Sequence, residues 1–405
     1  MTSLPNKPNK RRPRILFLVP SDLDALKRKG VADMILDRDE GSFFERVVTV
    51  HPFASKTQVV ALNNVHVVHE FFHDVSGDKT RFRIIRWFNF AGYIMKLVRR
   101  VRSILRKEGI DIVRSTDPYW TGFIGWLVTR VPRLPFCVSI HADYDKRYEL
   151  AGPAGAPVIF GSRVLAKWLQ RFILHRADRV MPIRESLGQK AIMDGARPET
   201  VRIIPHGIDT KAFCSEPSYD VKSLFGIRED QKIISFVGRL SRENYVDDVL
   251  AIARNLINRN DFVIVMAGGG PEEERLRQEL DSDRGLSRLI LLVGFQPRDL
   301  VVHLRRASAA SLCFMGGFSL IEACAAARPV IAYDVEWHHE LVSDYETGFL
   351  VSESDTKTVA RAIEYLLDHL VEAKEMGARA RALAFERHDI LATTEIKRSY
   401  YRELL

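Results

Sequence analysis

Three stretches of this 405-residue chain combine residue types and spacings suited to holding a phosphorylated ligand. In Phe236-Val237-Gly238-Arg239-Leu240 a strand gives way to a loop before a helix, so Gly238 permits close backbone approach and Arg239 can reach a phosphate. Arginine suits that task because its planar fork meets two oxygens at once and stays charged. Arg242 and Asn244 follow in the same loop. In Phe314-Met315-Gly316-Gly317-Phe318-Ser319-Leu320-Ile321-Glu322, glycines precede a helix. Its first-turn amides, about Phe318 to Leu320, have no partner within the helix and form a natural diphosphate site. Glu322, one turn further in, either accepts hydrogen bonds from ribose hydroxyls or simply completes the helix start. The third stretch, Gly268-Gly269-Gly270-Pro271-Glu272-Glu273-Glu274, lacks the G-x-G-x-x-G spacing, and its acidic first turn opposes a pyrophosphate. It reads mainly as a tight turn. Gly294 and Phe295, just past another strand, complete the candidate ligand set.

A second group of candidates lies in the first half. His141 follows the strand-like run Phe136-Cys137-Val138-Ser139-Ile140, where an imidazole whose charge is tunable near neutral pH suits polarising a hydroxyl. A structural histidine is the plainer reading. Asp117, in Thr116-Asp117-Pro118-Tyr119-Trp120, ends the preceding strand on the same side, and Asp143 is grouped with it. His338 and His339 in the run 334–340 are adjacent without an H-x-x-x-H spacing, so no metal site is assigned.

The elements that must position these residues are most legible in the second half. β-rich runs at 233–237, 262–267, 289–293, 309–314 and 330–333 alternate with helix-period segments. Five buried strands in such alternation imply a parallel sheet. Between the first two, Val246, Val249, Leu250, Ala253, Leu256 and Ile257 recur with helical spacing while Asp247, Asp248 and Arg254 face away, which predicts an amphipathic crossover helix. The first half repeats this grammar at 15–19, 110–113, 136–140, 179–182 and 201–204, implying a second parallel sheet. Residues 47–73 predict only short strands with poor alternation and no clear register. The fold class is therefore α/β, with two Rossmann-like, doubly wound parallel-sheet domains facing a central cleft at the carboxyl ends of their strands. The expected layout is a basic tail over 1–13, a first domain over 14–210 and a second over 211–388. A C-terminal helix over 389–405, with Ile396, Tyr400, Tyr401 and Leu404 at helical spacing, packs back on the first.

Taken in order, several runs resemble glycosyltransferase family 4: Ile203-Ile204-Pro205-His206-Gly207-Ile208-Asp209, Gly238-Arg239-Leu240, the glycine-helix segment ending in Glu322, Arg328-Pro329-Val330-Ile331-Ala332, and Glu346-Thr347-Gly348-Phe349-Leu350-Val351. Their order and spacing agree from about 178 to 367. The resemblance implies the GT-B fold, a donor bound mainly by the C-terminal domain, retention of anomeric configuration, and no metal. It implies an arginine and a lysine on the diphosphate leaving group; Arg239 matches the first, while the lysine position holds Asn244, with Arg242 nearby. It also implies two glutamates separated by seven residues, of which Glu322 matches the ribose-side one and the sugar-side one falls on Phe314 or, with a gap, Gly316. His141 matches a histidine lining the acceptor and donor sugar. The loop Pro20-Ser21-Asp22-Leu23-Asp24 lacks the family's usual glycines.

Composition bounds the rest. A hydrophobic fraction of 46% suits packed cores, and no window has eighteen uninterrupted apolar residues, so nothing in the sequence builds a membrane-spanning helix. Four widely spaced cysteines fit a reduced, cytoplasmic compartment. The net charge is +8, and basic residues concentrate over 79–107, interleaved with aromatics, as on an interfacial surface. Lys167, Trp168, Arg171, Phe172 and Arg176 extend the same pattern. Without a recognisable nucleic-acid module, peripheral contact with anionic membrane at the inner face is preferred to nucleic acid. Asp143-Tyr144-Asp145 is a D-x-D triplet of the sort metal-dependent transferases carry, but such triplets arise by chance and the two-sheet pattern disagrees.

The sequence thus predicts a retaining, metal-independent hexosyltransferase with no cofactor beyond a nucleotide-diphosphate sugar as co-substrate. Its acceptor is a glycan or a lipid-linked molecule, in cell-surface glycan or glycolipid synthesis. The competing readings are a non-catalytic scaffold of the same fold and a nucleotide-sugar epimerase.

Overall fold

Runs of Val, Ile, Leu and Phe with no polar face form strands that are covered on both sides. In a computed structural model describing residues 11–28, 32–73, 83–154, 156–215 and 219–405, these strands make two sheets. The first contains β1 (Arg14–Leu18), β2 (Arg46–Ala54), β3 (Gln58–Ala61), β4 (His66–Phe72), β5 (Ile112–Ser115), β6 (Phe136–Ile140) and β7 (Arg179–Pro182). Their order is β3-β4-β2-β1-β5-β6-β7, parallel throughout except at the edge, where β3 runs antiparallel to β4. The second contains β8 (Lys232–Val237), β9 (Phe262–Ala267), β10 (Ile290–Gly294), β11 (Ala310–Cys313), β12 (Val330–Tyr333) and β13 (Gly348–Val351). It is wholly parallel in the order β10-β9-β8-β11-β12-β13. The chain divides into two compact units, Met1–Pro205 with Thr394–Leu405, and His206–Thr393.

Three sequence expectations need correction. Residues 47–73, expected as short strands without clear register, form the short edge strand β3, the seven-residue β4 and a nine-residue β2 seated in register between β1 and β4. Alternation is poor there because a central strand has no wet face: Val47, Val48, Thr49, Val50 and His51 are all fully buried. Residues 201–204 run beside β7 without becoming a strand. Arg202 and Ile204 donate to the carbonyls of Val180 and Pro182 at 2.9 and 2.8 Å, but Pro182 has no N–H with which to return a rung. The second sheet has six strands rather than five. Its last, β13, is only four residues long and opens on Gly348, where a side chain would strike the carbonyl of Val330 on β12. The basic tail over 1–10, together with Lys79 and Arg81, lies outside the described residues.

The chain ends in a helix, Ile390–Arg402, whose last turns belong to the first unit. Tyr401 is fully buried there, edge-on to Phe44 with ring centres 5.0 Å apart. Its hydroxyl accepts a hydrogen bond from buried Arg114, which also donates to Ser139 at 2.7 Å. Arg398 donates to the carbonyls of Glu40 and Gly41, both at 2.7 Å, and Lys397 pairs with the Glu40 carboxylate at 3.0 Å. Burial raises the pKa of the Tyr401 hydroxyl, which stays a neutral partner for the guanidinium. Replacing a fully buried aromatic with alanine costs about 3–5 kcal/mol, whereas removing only this hydroxyl costs about 1–3 kcal/mol. Urea unfolding should therefore rank Tyr401→Ala well below Tyr401→Phe, and both below wild type. Equal stability of the alanine variant and wild type would show that the helix contributes nothing to the first unit.

Candidate functional site

The second sheet reverses its winding at β8, with β9 and β10 to one side and β11 to β13 to the other. Ligands of such sheets lie in the crevice beyond the carboxyl ends of the strands at that reversal. β8 and β11 are direct neighbours, paired from Ile234 and Ala310 to Phe236 and Leu312. The loop after β8 and the glycine turn after β11 therefore bound one crevice.

The loop after β8 is held by backbone contact. Gly238 N donates to Ala267 O and Leu240 N to Gly269 O, each at 3.0 Å, while Glu272 N donates to Leu240 O at 3.1 Å. Gly268 has a φ of +145°, and a side chain there would strike the Gly238 carbonyl; one on Gly270 would strike that of Leu240. Beyond the tight turn expected from sequence, Gly268 and Gly270 let two loops touch main chain to main chain. Asn244 Nδ2 donates to the carbonyl of Arg239 at 2.7 Å, and Tyr245 closes the loop at a φ of +58°. That left-handed conformation costs a non-glycine residue about 1–2 kcal/mol. It is pinned by the Tyr245 hydroxyl, which donates to Glu353.

The cations of the loop differ in what they meet. Arg239 is exposed, and its guanidinium has no hydrogen bond or ion pair among the described residues. Arg242 lies 3.4 Å from the carboxylate of Glu272, which Arg275 also holds at 2.7 Å. Arg242 is therefore drawn toward the acidic helix start while its side chain stays largely exposed, and the Asn244 side chain is turned onto its own loop.

On the other side of the crevice, Phe314 is 1% exposed and stacks on Tyr333 at 4.3 Å. Burial raises the pKa of the Tyr333 hydroxyl, which donates to Asp248 at 2.6 Å. A carboxylate at position 314 would have no place in that apolar stack. Gly316 is gripped at both peptide groups: its N–H donates to His338 Nε2 at 3.2 Å, and its carbonyl accepts from Trp337 Nε1 at 3.1 Å. His338 is fully buried, and its other ring nitrogen meets the Tyr333 carbonyl at 2.8 Å. These supports were missed by sequence reasoning, although the histidine-rich run 334–340 signalled them.

The helix Phe318–Ala325 then begins at Gly317 with no side-chain cap. Asp143, Ser162, Asp220, Asp283 and Asp355 cap other helix starts, while the helices after Arg184, Tyr245 and Pro297 also begin without a side-chain cap. The amides of Phe318, Ser319 and Leu320 are thus left for something other than a cap. Ser319 Oγ donates to the carbonyl of Val237, the last residue of β8, at 2.7 Å and accepts from Arg305 at 2.8 Å. That bond places the helix start two residues from Arg239. The Glu322 carboxylate lies 3.9 Å from Arg298 and 4.0 Å from Arg305, beyond hydrogen-bond distance of either. Gly294 ends β10 at a φ of +70° and accepts from Gly268 N at 2.8 Å, so it joins the same loops. Phe295 beside it is 84% exposed.

The structure thus brings Gly238, Arg239, Asn244, Gly316, Gly317, Phe318, Ser319, Leu320 and Glu322 to one crevice of the second unit. His141, Asp117 and Asp143 lie in the first unit. His141 is exposed just past β6, whereas the two aspartates, grouped with the acceptor side from sequence, are spent on local structure. Asp117 accepts from Tyr119 N at 2.8 Å and Thr121 Oγ1 at 2.5 Å, and burial raises its pKa against those bonds. Asp143 accepts from the amides of Asp145 and Lys146 at 2.9 and 3.1 Å, capping the helix Tyr144–Ala151.

Asp145 sits among Arg163, Lys167 and Lys190 at 2.9, 3.1 and 2.8 Å. Burial alone would raise its pKa, but Lys190, Lys167 and Arg163 outweigh burial and hold the carboxyl well below the usual range. A folded-state pKa below the unfolded value means stability that is present above the ordinary carboxylate pKa of about 4 and lost as pH falls toward the folded value. Asp145→Asn should accordingly lower stability by about 1–2 kcal/mol at pH 7, with the gap to wild type closing below about pH 4. A gap that does not change between pH 7 and pH 3 would place the cost in packing rather than in charge.

Comparison with known proteins follows the same two-unit division. The family model described as "Glycosyltransferase Family 4" matches residues 46–212, and that described as "Glycosyl transferases group 1" matches residues 221–383. The chain is 24% identical over 328 residues to an alpha-D-kanosaminyltransferase of Streptomyces kanamyceticus, covering 77% of this chain and 82% of that protein. It is 29% identical over 303 residues to a D-inositol 3-phosphate glycosyltransferase of Nocardia farcinica, covering 70% and 65%. Among solved structures, a sucrose-phosphate synthase from Thermosynechococcus elongatus matches with a TM-score of 0.72 and 21% identity over 97% of this chain and 99% of that one. Anabaena HepE in complex with UDP matches with a TM-score of 0.72 and 16% identity over 96% and 100%.

Proposed function

We infer, for a chain that belongs to the family 4-type glycosyltransferases, has the GT-B fold and acts on a nucleotide-sugar donor, that it transfers a hexose with retained anomeric configuration and without a metal. The carrying observation is the hydrogen bond from Ser319 Oγ to Val237 O at 2.7 Å, which brings an uncapped helix start to the end of the strand whose loop carries Arg239. As the bond from the sugar's C1 to the diphosphate breaks, the electron pair leaves with the diphosphate, and the acceptor hydroxyl passes its proton to the departing diphosphate oxygen as its own oxygen bonds to C1. Negative charge grows on the leaving group, and preformed donors aimed at growing charge are the main source of acceleration in such reactions. Arg239 and the amides of Phe318 to Leu320 supply them, with the helix dipole behind the amides.

Other residues take supporting roles in this reading. Glu322, which accepts no side-chain hydrogen bond among the described residues, receives the ribose hydroxyls, and exposed Phe295 offers a flat apolar face at the rim. His141 polarises a sugar hydroxyl. Structures of HepE hold UDP and UDP-glucose, which supports a uridine nucleotide as the first donor to try.

With Asn244 and Arg242 otherwise engaged, the cationic share falls mainly on Arg239. Arg239→Ala should lower kcat about a hundredfold or more, with a smaller change in KM. The assay uses whichever UDP-, GDP- or ADP-sugar gives the wild-type chain the largest thermal stabilisation. Unchanged turnover in the variant removes the assignment, and absence of stabilisation by every nucleotide sugar removes the donor site.

The acceptor, in this reading, is a glycan or a lipid-linked molecule met at an anionic membrane surface on the cytoplasmic side. Among the described residues no helix is long and apolar enough to cross a membrane. Helices Arg83–Glu108, Trp120–Arg130 and Arg163–Arg176 pack side by side, joined by Arg102 donating to Leu127 O at 2.7 Å and by Trp126 against Phe172 at 4.9 Å. Several residues expected at the interface instead face the core, among them Phe90, Tyr93, Ile94, Leu97, Val98 and Leu105. What remains outside is Phe88, Met95, Val164 and Trp168, beside exposed Lys96, Arg99, Lys107, Lys167 and Arg171. Apolar side chains ringed by cations suit headgroups of negative charge. The protein should float with phosphatidylglycerol liposomes at low salt and release at high salt. Remaining in the soluble fraction at low salt would contradict the membrane assignment.

A further inference from the structure

Arg305 is the largest fully buried side chain in the molecule's described residues, and no motif accounts for it. It lies near the end of the helix Arg298–Ala307 and is 1% exposed. One terminal nitrogen, Nη2, donates to Ser319 Oγ at 2.8 Å and lies 4.0 Å from Glu322 Oε2. The other two nitrogens, Nε and Nη1, have no hydrogen-bond partner. Taking a guanidinium out of water with donors unpaired is costly unless an anion stands close by. Among the described residues, Glu322 is the carboxylate within ion-pair distance.

We propose that Arg305 is a positioning residue of the nucleotide site, which fixes the Glu322 carboxylate for the ribose hydroxyls and locks the glycine turn to the end of β8. The inference rests on the donor-site reading above. Two observations carry it together. The first is the relay from Arg305 to Ser319 Oγ to the Val237 carbonyl, which joins the helix Arg298–Ala307, the helix Phe318–Ala325 and β8. The second is the spacing at Glu322. A counter-charge at 4.0 Å balances the carboxylate from the core side while leaving its lone pairs uncommitted, as an acceptor of ligand hydroxyls needs.

Arg298, also 3.9 Å from that carboxylate, does not duplicate the role. It is 66% exposed, so water and salt screen it and its long side chain is not fixed. Arg305 is held by packing on every side, so its field at Glu322 is constant and weakly screened. Lysine at 305 would keep a charge but carry it on a flexible stem, without the rigid plane that holds Nη2 at Ser319 and at a set distance from Glu322.

The test compares a ribonucleoside diphosphate with its 2′,3′-dideoxy form, using UDP unless GDP or ADP stabilises wild type more. Hydrogen bonds to a charged acceptor are strong, so wild type should prefer the ribo form by about tenfold or more. Arg305→Met should reduce that preference below about threefold, as should Glu322→Gln. The double variant should lose no more than either alone, because both act through one contact. Arg305→Lys should fall between, and it decides the matter with Arg305→Gln if the methionine variant does not fold. A purely structural role would weaken both nucleotides equally and leave their ratio untouched. A preference kept by the Arg305 variants but lost in Glu322→Gln overturns this inference alone. A preference kept in Glu322→Gln overturns the ribose reading beneath it.

Discussion

The hydroxyl of Ser319 donating to the carbonyl of Val237 is the contact on which the rest of the second unit's chemistry depends. A parallel sheet brings β8 and β11 together in register, but register alone does not say where the chain after each strand will go. The serine supplies that by tying the start of the helix Phe318–Ala325 to the last residue of β8. Everything that could bear on a diphosphate is then within a few residues of one bond. The glycines serve the same end: Gly268 and Gly270 let main chain meet main chain, and Gly316 leaves both its peptide groups to Trp337 and His338.

Several charged side chains in this protein are engaged by more than one partner. Asp145 alone meets three cations, Arg275 meets Asp247, Glu272 and Glu279, and Arg242 leans on Glu272. Arg239 is exposed and without a partner among the described residues, in a loop whose own backbone is fixed by Asn244, Gly269 and Glu272. An unpaired cation on a loop whose backbone is already fixed loses little on meeting a phosphate, because no existing ion pair must break. The uncapped helix start is the neutral counterpart of the same arrangement. Some helix starts in the protein are closed by an aspartate or serine side chain, and this one, at Gly317, is not.

The first unit shows how polar residues at strand ends can be structural. Asp117 and Asp143 both follow strands on the side where ligands of such sheets bind, yet each accepts hydrogen bonds from the two to four residues after it. Short carboxylate side chains are well suited to that and compete for it wherever a helix follows. The opposite face is held by buried charge. Phe17 lies between the guanidinium groups of Arg38 and Arg114 at 5.1 and 5.6 Å, and Tyr401 of the returning helix completes the hydrogen bonding of Arg114. Burial pushes the pKa of Arg38 down to about 10, with Arg114 adding to the effect, so the cation survives at neutral pH.

The βα alternation, the crossover helix beginning at Val246, the strands β6, β7, β9 and β12, and the order of motifs around Arg239 and Glu322 were all legible in the sequence. Each is set by local periodicity or by residues close together along the chain. What the sequence could not decide is which polar group meets which. The engagement of Arg242 with Glu272, the burial of Arg305 beneath Glu322, the gripping of Gly316 by His338 and the failure of residues 201–204 to become a strand all depend on partners from seventeen to thirty residues away. Hydrogen bonds and ion pairs are short-ranged and directional, so they are settled only when packing has brought distant segments together. Apolar periodicity fixed where the strands and helices would be; tertiary contact decided which of their charged side chains remained free to act.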